Sequence, residues 1–323
     1  MKYVLITGVG GFVGSHLADF LLNKNFTVIG IDTVNKHNLR NLKHIKNQNF
    51  IYIKGDLRKF SAIERKLKYN ISEIYHLASV VGVNKYISDP SELINNNIIS
   101  SMNVINFCIK KKIKLIFTST SEVYGKNPKV PWSENSDRVL GPPNVSRWSY
   151  SSSKSLIEHM INSNKTKLNF VIVRYFNVYG PRQNPIFVIS NSLHKILNKN
   201  KPLIYDNGKQ TRCPTYITDA IMATYALSKE KKANKKTFNV GNEKEYTIKK
   251  IVESCLHLSG NKNLGYKNFI TKKKYGPEYE DIFRRVPDCT MLKKHIKFKI
   301  KIDLKTGLKK TIEWIKHNPW YLD

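Results

Sequence analysis

Residues 3–14 have the sequence YVLITGVGGFVG, in which a short apolar strand runs into a glycine-rich turn and then into a segment of helical periodicity. Gly8 permits a sharp turn, Gly11 lets the backbone approach a phosphate, and Gly14 allows a helix to pack closely on a sheet. Free N–H groups at the helix start would face the phosphates. A plain tight turn is the alternative, but the context of strand, glycines and helix favours a dinucleotide pyrophosphate site.

Short apolar strands alternate with helical patterns from this point to about Tyr175. This alternation is typical of repeated βαβ units, and it predicts an α/β fold with a doubly wound parallel sheet of the Rossmann type. The predicted strands are Tyr3–Thr7, Thr27–Asp32, Phe50–Ile53, Glu73–Leu77, Leu115–Ser119, Phe170–Tyr175 and Phe238–Val240. The later part of the chain is more broken, which predicts a smaller C-terminal domain.

The bulk composition restricts the class of protein. The chain has 323 residues and a formal net charge of +31, but only ten of its 55 basic residues are Arg. Scattered Lys lacks the planar fork that suits phosphate and base recognition, so we expect a solvated basic surface and no specific nucleic-acid partner.

The four cysteines are widely spaced and predict neither a disulfide framework nor a metal site. With no long apolar run and no signal-peptide pattern, we expect no membrane association and a cytoplasmic location.

Two aspartates follow predicted strands at positions suited to a nucleotide. Asp32 ends the second strand 18 residues after Gly14, close to the spacing at which a carboxylate receives the adenosine ribose hydroxyls. A carboxylate there repels a 2′-phosphate, so NAD is favoured over NADP. Asp56 follows the third strand, where it either lies near the adenine or caps a helix or turn.

Two further segments predict catalytic chemistry. The first is TSTSEVYG at 118–125, at the end of a strand, and the second is YSSSK at 150–154, which opens a helix. Tyr150 and Lys154 are one helical turn apart, so an ammonium can lower the phenol pKa and hold the nicotinamide ribose. The phenolate could then take a proton from a sugar hydroxyl while hydride leaves for NAD. Tyr and Lys at this spacing are also common surface neighbours, so the signal depends on its position in the fold.

The chain resembles the extended short-chain dehydrogenase/reductases that act as nucleotide-sugar epimerases, dehydratases and decarboxylases. The matching motifs are TGVGGFVG at 7–14, Asp32, STSEVYG at 119–125, YSSSK at 150–154, VRYFNVYGPRQ at 173–183, PLIYDNGKQTRC at 202–213 and YITDA at 216–220. The resemblance implies that Tyr150 is the base, Lys154 its helper and Thr120 a hydrogen-bond partner of the reacting hydroxyl. The implied NAD-binding residues are Gly8, Gly11, Phe12, Val13, Gly14, Asp32, Asp56, Leu57, Leu77, Ala78, Tyr150 and Lys154.

The residues after Thr120 bear on which reaction follows oxidation at carbon 4. Dehydratases of this type usually carry an Asp-Glu pair there, whereas this chain has Ser121 and Glu122. The Thr-Ser-Glu triplet and GPPNVSRWSYSSSK at 141–154 resemble UDP-glucuronate decarboxylases. The favoured prediction is decarboxylation of UDP-glucuronate to a UDP-pentose, assisted by Glu122. A UDP-glucose or UDP-glucuronate 4-epimerase is the alternative, and a 4,6-dehydratase or a non-catalytic NAD-binding protein is less favoured.

The same resemblance implies residues for the rest of the substrate. It places Tyr205 against a uracil and Arg212 on the diphosphate, with Arg182 a second candidate for the phosphates. Arg285 would meet the sugar carboxylate or a phosphate, unless it is an ordinary interface cation. The further candidates are Ser121 and Asn177, the latter also explained as a turn former. Pro214 replaces an aromatic residue common after Arg212, so the substrate loop is expected to differ.

The resemblance also predicts the organisation of the chain. Residues 1–176 would form the NAD-binding domain, to which 213–240 return, while 177–212 and 241–323 would form the substrate-binding domain. The helices around Ile94–Cys108 and Tyr150–Ile161 would pair with their copies in a homodimer. The sequence itself shows only that each helix has an apolar stripe, which a monomer core could also absorb.

Overall fold

The computed structural model describes residues 3–276 and 279–323 and contains thirteen strands in that part of the chain. Seven of them form one parallel sheet in the order β11-β6-β5-β4-β1-β2-β3, which confirms the predicted Rossmann-type fold. The strands are β1 Tyr3–Thr7, β2 Thr27–Asp32, β3 Phe50–Lys54, β4 Ile71–His76, β5 Lys114–Thr120, β6 Phe170–Tyr175, β7 Val178–Tyr179, β8 Leu203–Tyr205, β9 Thr211–Arg212, β10 Thr215–Tyr216, β11 Lys236–Val240, β12 Tyr246–Thr247 and β13 Lys267–Phe269.

Eleven α-helices accompany these strands in the described residues. They are α1 Phe12–Leu22, α2 Phe60–Glu64, α3 Val83–Ser88, α4 Pro90–Lys111, α5 Trp148–Ser163, α6 Val188–Leu197, α7 Ile217–Lys229, α8 Ile248–Leu258, α9 Thr271–Tyr275, α10 Thr290–His295 and α11 Leu304–His317. Local chemistry fixes the ends of the longest helix, α4. Asp89 caps its first turn by accepting from the Glu92 N–H at 3.0 Å, Pro90 occupies the first helical position, and Lys112 ends it in the left-handed conformation. None of the helices in the described part of the chain is long and apolar enough to cross a membrane.

The chain forms two compact units. The first, called the sheet unit below, consists of the residues up to Val123 together with Ser149–Arg174 and Ile221–Phe238. Its core is apolar: strand residues such as Leu5, Ile29 and Leu115 pack with helix residues such as Ile157 and Ile161, each at most 2% exposed. The strand order reverses between β1 and β4, and ligands of open α/β sheets bind at the carboxyl ends of strands at such a point.

The second unit consists of Tyr124–Trp148, Tyr175–Ala220 and the residues from Asn239 onward. It contains three small two-stranded sheets, β7 with β10, β9 with β12 and β8 with β13. Segment 124–148, which the sequence assigns to the first domain, lies in this unit because its contacts are there. Trp132 bridges to Pro287, and Lys126 and Trp148 both bind the Glu280 carboxylate.

Candidate active site

The turn between β1 and α1 has the geometry that its glycines predict. Gly8 has φ of +70°, and a Cβ atom there would lie 2.8 Å from the Ala78 Cα atom. A Cβ atom on Gly14 would lie 2.2 Å from the Gly8 carbonyl oxygen, so only glycine lets the helix start this close to the strand. Gly11 is the N-cap of α1, and no side chain caps the helix. Its first-turn N–H groups therefore suit an anion.

Asp32 closes the turn from the end of β2. One oxygen of its carboxylate accepts from the Gly10 N–H at 2.9 Å and the other accepts from the Thr33 N–H at 2.8 Å. A carboxylate offers about four acceptor sites, so both oxygens can still receive ribose hydroxyls. The glycine turn, the uncapped helix start and this half-buried carboxylate fit NAD, and the negative charge opposes a 2′-phosphate.

Asp56 is held by its own neighbours. Its side chain caps the short helix Leu57–Lys59 by accepting from the Arg58 N–H at 2.9 Å, and it also accepts from the Arg58 guanidinium at 2.8 Å. These hydrogen bonds lower the pKa of the carboxyl group, so it is ionised at neutral pH. The capping alternative is thus what the structure shows, and an adenine contact of Asp56 or Leu57 stays a prediction.

A buried histidine, which we did not predict from the sequence, supports this turn. Thr7 Oγ1 accepts from the N–H groups of Leu77 and Ala78, each at 3.2 Å, and lies 2.7 Å from His76 Nδ1. His76 Nε2 lies 3.0 Å from Ser101 Oγ. Burial, together with the charge of Lys154, lowers the pKa of His76 to about 3, so the ring is neutral. This chain of hydrogen bonds fixes Ala78 against Gly8.

The predicted catalytic residues of the sheet unit come together at the carboxyl end of β5. Tyr150, near the start of α5, is 7% exposed, and its phenol hydrogen-bonds with the side chains of Thr120 and Ser79. On its other side the ring of Tyr86, from α3, lies parallel to it with the ring centroids 4.8 Å apart. The phenol is thus aimed by two hydroxyl groups and one stacked ring. Ser79 and Tyr86 were not predicted from the sequence, because neither lies in a motif.

The expected lowering of the Tyr150 pKa is not what the structure shows. Burial raises the pKa of the phenol above its usual value, and the Glu122 carboxylate raises it further. The hydrogen bonds from Ser79 and Thr120 act in the opposite direction but do not compensate. The Lys154 ammonium lies 6.0 Å from the phenol ring, and burial lowers the pKa of that ammonium itself to about 7. The prediction was wrong because spacing along a helix carries no information on desolvation.

Lys154 is directed into the sheet. Its Nζ donates to the Thr118 carbonyl oxygen at 3.0 Å and lies 4.8 Å from the centre of the Phe117 ring. The residue is only 3% exposed. Lys154 and Tyr150 therefore lie in one buried group with the end of β5, as the sequence predicts, and neither faces bulk solvent.

Glu122 belongs to the same group. It lies in the short helix Ser121–Tyr124 after β5, is 9% exposed, and its N–H donates to Thr120 Oγ1 at 3.2 Å. Ser151 Oγ, from α5, donates to the Glu122 carbonyl oxygen at 2.6 Å. These bonds fix the main chain of Glu122, whose charge acts on Tyr150. Ser121 is 2% exposed, so its side chain has little access to a substrate.

The arginines predicted for the substrate lie in the second unit. Arg212, in β9, donates to the Thr211 carbonyl oxygen at 2.7 Å and lies 3.4 Å from Asp281 Oδ1. Arg284 forms a two-point ion pair with Glu245 at 2.9 and 2.8 Å, so the structure gives this cation a structural role. Arg285 is 8% exposed, so its side chain is directed inward. Its role stays a prediction.

The other candidates of the second unit are marked by their backbone or their rings. Asn177 and Arg182 have positive φ values of 42° and 67°, which are uncommon for residues other than glycine and often occur at functional sites. Asn177 Oδ1 is buried without a hydrogen-bond partner among the described residues, as expected of a group kept for a ligand. Tyr205 packs edge to face on Phe269, with the ring centroids 5.8 Å apart.

Comparison with known proteins agrees with this geometry. The sequence profile of GDP-mannose 4,6-dehydratase matches residues 5–311. The chain belongs to this family of extended short-chain dehydrogenase/reductases. It is similar to UDP-N-acetyl-α-D-glucosaminuronate decarboxylase of Bacillus cytotoxicus, with 35% identity over 319 residues and 98% of each chain covered.

Two solved structures resemble this member of the family over nearly its whole length. UDP-glucuronic acid 4-epimerase from Bacillus cereus, in complex with UDP-glucuronic acid and NAD, has 28% identity and a TM-score of 0.85 over 98% of this chain and 100% of that one. UDP-N-acetylglucosamine 4-epimerase from Methanobrevibacter ruminantium has 29% identity and a TM-score of 0.87, with the same shares covered. The predicted family, and NAD as its cofactor, are confirmed.

Proposed function

We propose that the chain is an NAD-dependent decarboxylase of a UDP-hexuronate, with UDP-glucuronate or its 2-acetamido counterpart as substrate. The observation that carries the proposal is the buried group of Thr120, Tyr150 and Lys154, with Glu122 in the next turn of the chain and its charge acting on the Tyr150 phenol. The 35% identical relative is named for the decarboxylation of a UDP-linked 2-acetamido uronate, which supports this reaction class.

The first step is oxidation at carbon 4 of the sugar. Bound NAD supplies the hydride acceptor. Thr120 and Tyr150 hydrogen-bond the carbon 4 hydroxyl, and Tyr150 takes its proton as hydride leaves carbon 4. Because burial raises the pKa of this phenol, it binds the proton strongly once it has accepted it. Ser79 and Thr120 stabilise the phenolate form that has to exist before the transfer.

The second step follows from the chemistry of the ketone. Oxidation at carbon 4 turns the hexuronate into a β-keto acid, in which the carboxylate is attached to carbon 5 and carbon 5 is bonded to the carbon 4 carbonyl. The bond between carbon 5 and the carboxylate carbon breaks and carbon dioxide leaves. The electron pair of that bond stays on the sugar and forms an enolate with the new carbonyl. A proton then has to reach carbon 5. Glu122 is the candidate for placing that proton or the water that carries it, because its main chain is fixed by Thr120 and Ser151.

The residues predicted for the nucleotide and the carboxylate complete the proposal. Arg212 would bind the diphosphate, with Arg182 as a second cation. Arg285 would neutralise the sugar carboxylate or a phosphate, and Tyr205 would stack on the uracil. Asn177 would orient the sugar through its buried amide oxygen.

A 4-epimerase is the second candidate, because the solved relatives of 28% and 29% identity are epimerases of UDP-linked sugars. It would share the first step and differ only in the fate of the ketone. A 4,6-dehydratase is less favoured, since Ser121 occupies the place of an acid and is buried.

The test is incubation of the purified protein with NAD and, in separate reactions, UDP-glucuronate, UDP-N-acetylglucosaminuronate, UDP-glucose and UDP-N-acetylglucosamine. Mass spectrometry of the products distinguishes the candidates. Loss of carbon dioxide from a uronate supports decarboxylation, while an isomer of unchanged mass with no loss of carbon dioxide from either uronate would show an epimerase. Tyr150→Phe is the matched control: it should bind NAD and turn over none of the four sugars.

A further inference from the structure

The ammonium of Lys154 lies where its charge is costly. Among the described residues, Nζ has one hydrogen bond, to the Thr118 carbonyl oxygen at 3.0 Å, and it also lies 4.8 and 6.0 Å from the centres of the Phe117 and Tyr150 rings. Burial lowers the pKa of this ammonium and the charge of Glu158 raises it, with a net value of about 7. A carbonyl and two rings offer only weak stabilisation, so a nearby negative charge is needed to hold the lysine protonated.

Glu158 supplies that charge from the next turn of α5. It lies four residues after Lys154 on the same face of the helix and is 6% exposed. Its carboxylate is held from two strands: Ser119 Oγ of β5 donates to Oε1 at 2.5 Å, and Arg174 of β6 donates to Oε1 and Oε2 at 3.0 and 2.6 Å. Donors on both oxygens leave the carboxylate little freedom to rotate.

The other titratable groups around Lys154 do not supply this charge. His76, on β4, is neutral because burial lowers its pKa to about 3. Tyr150 is protonated, since burial raises its pKa. The Glu122 carboxylate acts on the Tyr150 phenol, whereas the charge that favours protonation of Lys154 is that of Glu158. Arg174 is itself a cation, and its guanidinium is directed at Glu158.

We propose that Ser119, Glu158 and Arg174 form a buried positioning cluster whose carboxylate charge, one helical turn from Lys154, favours the protonated form of that lysine. The proposal rests on the proposed function for the role of Lys154 beside Tyr150. In this proposal Glu158 is a positioning residue that acts through Lys154. The competing explanation is a structural ion pair that only joins α5 to β6.

The decisive measurement is the protonation of Lys154 itself. Lysines labelled with carbon-13 and nitrogen-15 give side-chain NMR signals that shift as Nζ loses its proton, and the Lys154 signal is the one missing in Lys154→Gln. In Glu158→Gln the titration midpoint of Lys154 should fall by at least about one pH unit, a tenfold loss of the protonated form above the midpoint. An unchanged midpoint in the folded variant would overturn the proposal.

Two further variants separate charge from folding. Glu73→Gln is the matched control, because Glu73 is also a buried acid of the sheet unit, 4% exposed and paired with Lys229, and it should leave the Lys154 midpoint unchanged. Glu158→Gln leaves the Arg174 cation buried without its acid, which can unfold the chain. The double variant Glu158→Gln, Arg174→Gln removes that cation, and its Lys154 midpoint should also fall; no fall would contradict the cluster.

An activity arm distinguishes this proposal from the proposed function. If protonated Lys154 is needed for turnover, the alkaline fall of kcat/KM in Glu158→Gln should move to lower pH together with the NMR midpoint. A midpoint that moves while the activity profile stays in place would support the cluster and contradict the proposed use of Lys154 in the reaction.

Discussion

The rings of Tyr86 and Tyr150 lie stacked, with their centroids 4.8 Å apart and their planes within 5° of parallel. Both residues are buried, at 4% and 7% exposure. A stacked neighbour opposes rotation of the Tyr150 ring away from Thr120 and Ser79, so Tyr86 orients the proposed base through ring contact.

Replacement of Tyr86 by Ala, which removes the stacked ring, should therefore reduce turnover more than replacement by Phe, which removes only the hydroxyl group. Removing a buried aromatic ring costs about 3–5 kcal/mol of stability, and loss of orientation at a reacting group costs on the order of 100-fold in rate. Tyr86→Phe keeps the stacked ring and should retain most of the rate. Thermal melts and kcat of the two variants provide the check; a folded Tyr86→Ala enzyme of normal rate would show that the stack has no catalytic value.

Substitution of two glycines in the first turn should have different effects, one on folding and the other on cofactor binding. A Cβ atom on Gly14 would meet the Gly8 carbonyl oxygen at 2.2 Å, so Gly14→Ala should lower the free energy of unfolding by about 1–3 kcal/mol. On Gly11 the nearest atom, also the Gly8 carbonyl oxygen, would be 3.2 Å away. Gly11→Ala should therefore fold nearly normally but bind NAD weakly, because its methyl group occupies the space that a pyrophosphate needs.

Melting temperature and NAD titration of both variants test this division. Equal losses of stability in Gly11→Ala and Gly14→Ala would contradict it. So would normal NAD affinity in Gly11→Ala, which would remove the pyrophosphate from that turn.

Much of the sheet unit was predictable because its elements follow local patterns. The strand predictions for Tyr3–Thr7, Thr27–Asp32 and Phe170–Tyr175 match the observed bounds, since buried parallel strands appear as short apolar runs between turn residues. Tyr150 and Lys154 were found by their spacing together with their position after the predicted βα units. The Tyr86 stack and the Ser79 hydrogen bond were not, because they join residues far apart in sequence and leave no periodic signal.

Electrostatics was the part that spacing could not predict. The helical turn between Tyr150 and Lys154 suggested a lowered phenol pKa, but desolvation dominates and raises it. Glu158 was within reach of sequence reasoning, since it lies one more turn along the same helical face from Lys154. Its partners Ser119 and Arg174 were not, because strands β5 and β6 bring them to it only in the folded chain.

The predicted homodimer can be tested at an exposed apolar residue of α5. Leu156 is 51% exposed, and Ile94 and Met102 of α4 are 40% and 39% exposed, so apolar side chains of both predicted interface helices face outward. Leu156→Glu should convert a dimer to monomers, because a charge buried in an apolar interface is costly. Ile270→Glu is the matched control, as Ile270 is 53% exposed outside these helices. Mass by sedimentation decides the outcome, and a wild-type monomer would refute the prediction.

Glu122 is expected to have two opposite effects on the reaction. Its negative charge disfavours the Tyr150 phenolate and so raises the pKa of the phenol. Glu122→Gln removes that charge and should lower the Tyr150 pKa, which leaves more phenolate at any given pH below it. The same change removes the group proposed to place the proton at carbon 5. Oxidation at carbon 4 should therefore be maintained or faster, while loss of carbon dioxide should slow.

Two measurements separate these effects. The tyrosinate absorbance of Glu122→Gln, taken as a difference from the same protein carrying Tyr150→Phe, should titrate at lower pH than the corresponding difference for the wild type. Single-turnover reactions with a uronate then follow NADH formation and carbon dioxide release separately. Because Ser151 and Thr120 hold Glu122 through main-chain atoms, the substitution should leave the backbone of this turn in place, and Gln matches Glu in size but carries no charge. If both steps slow in parallel, Glu122 acts before oxidation, and its assignment to decarboxylation is wrong.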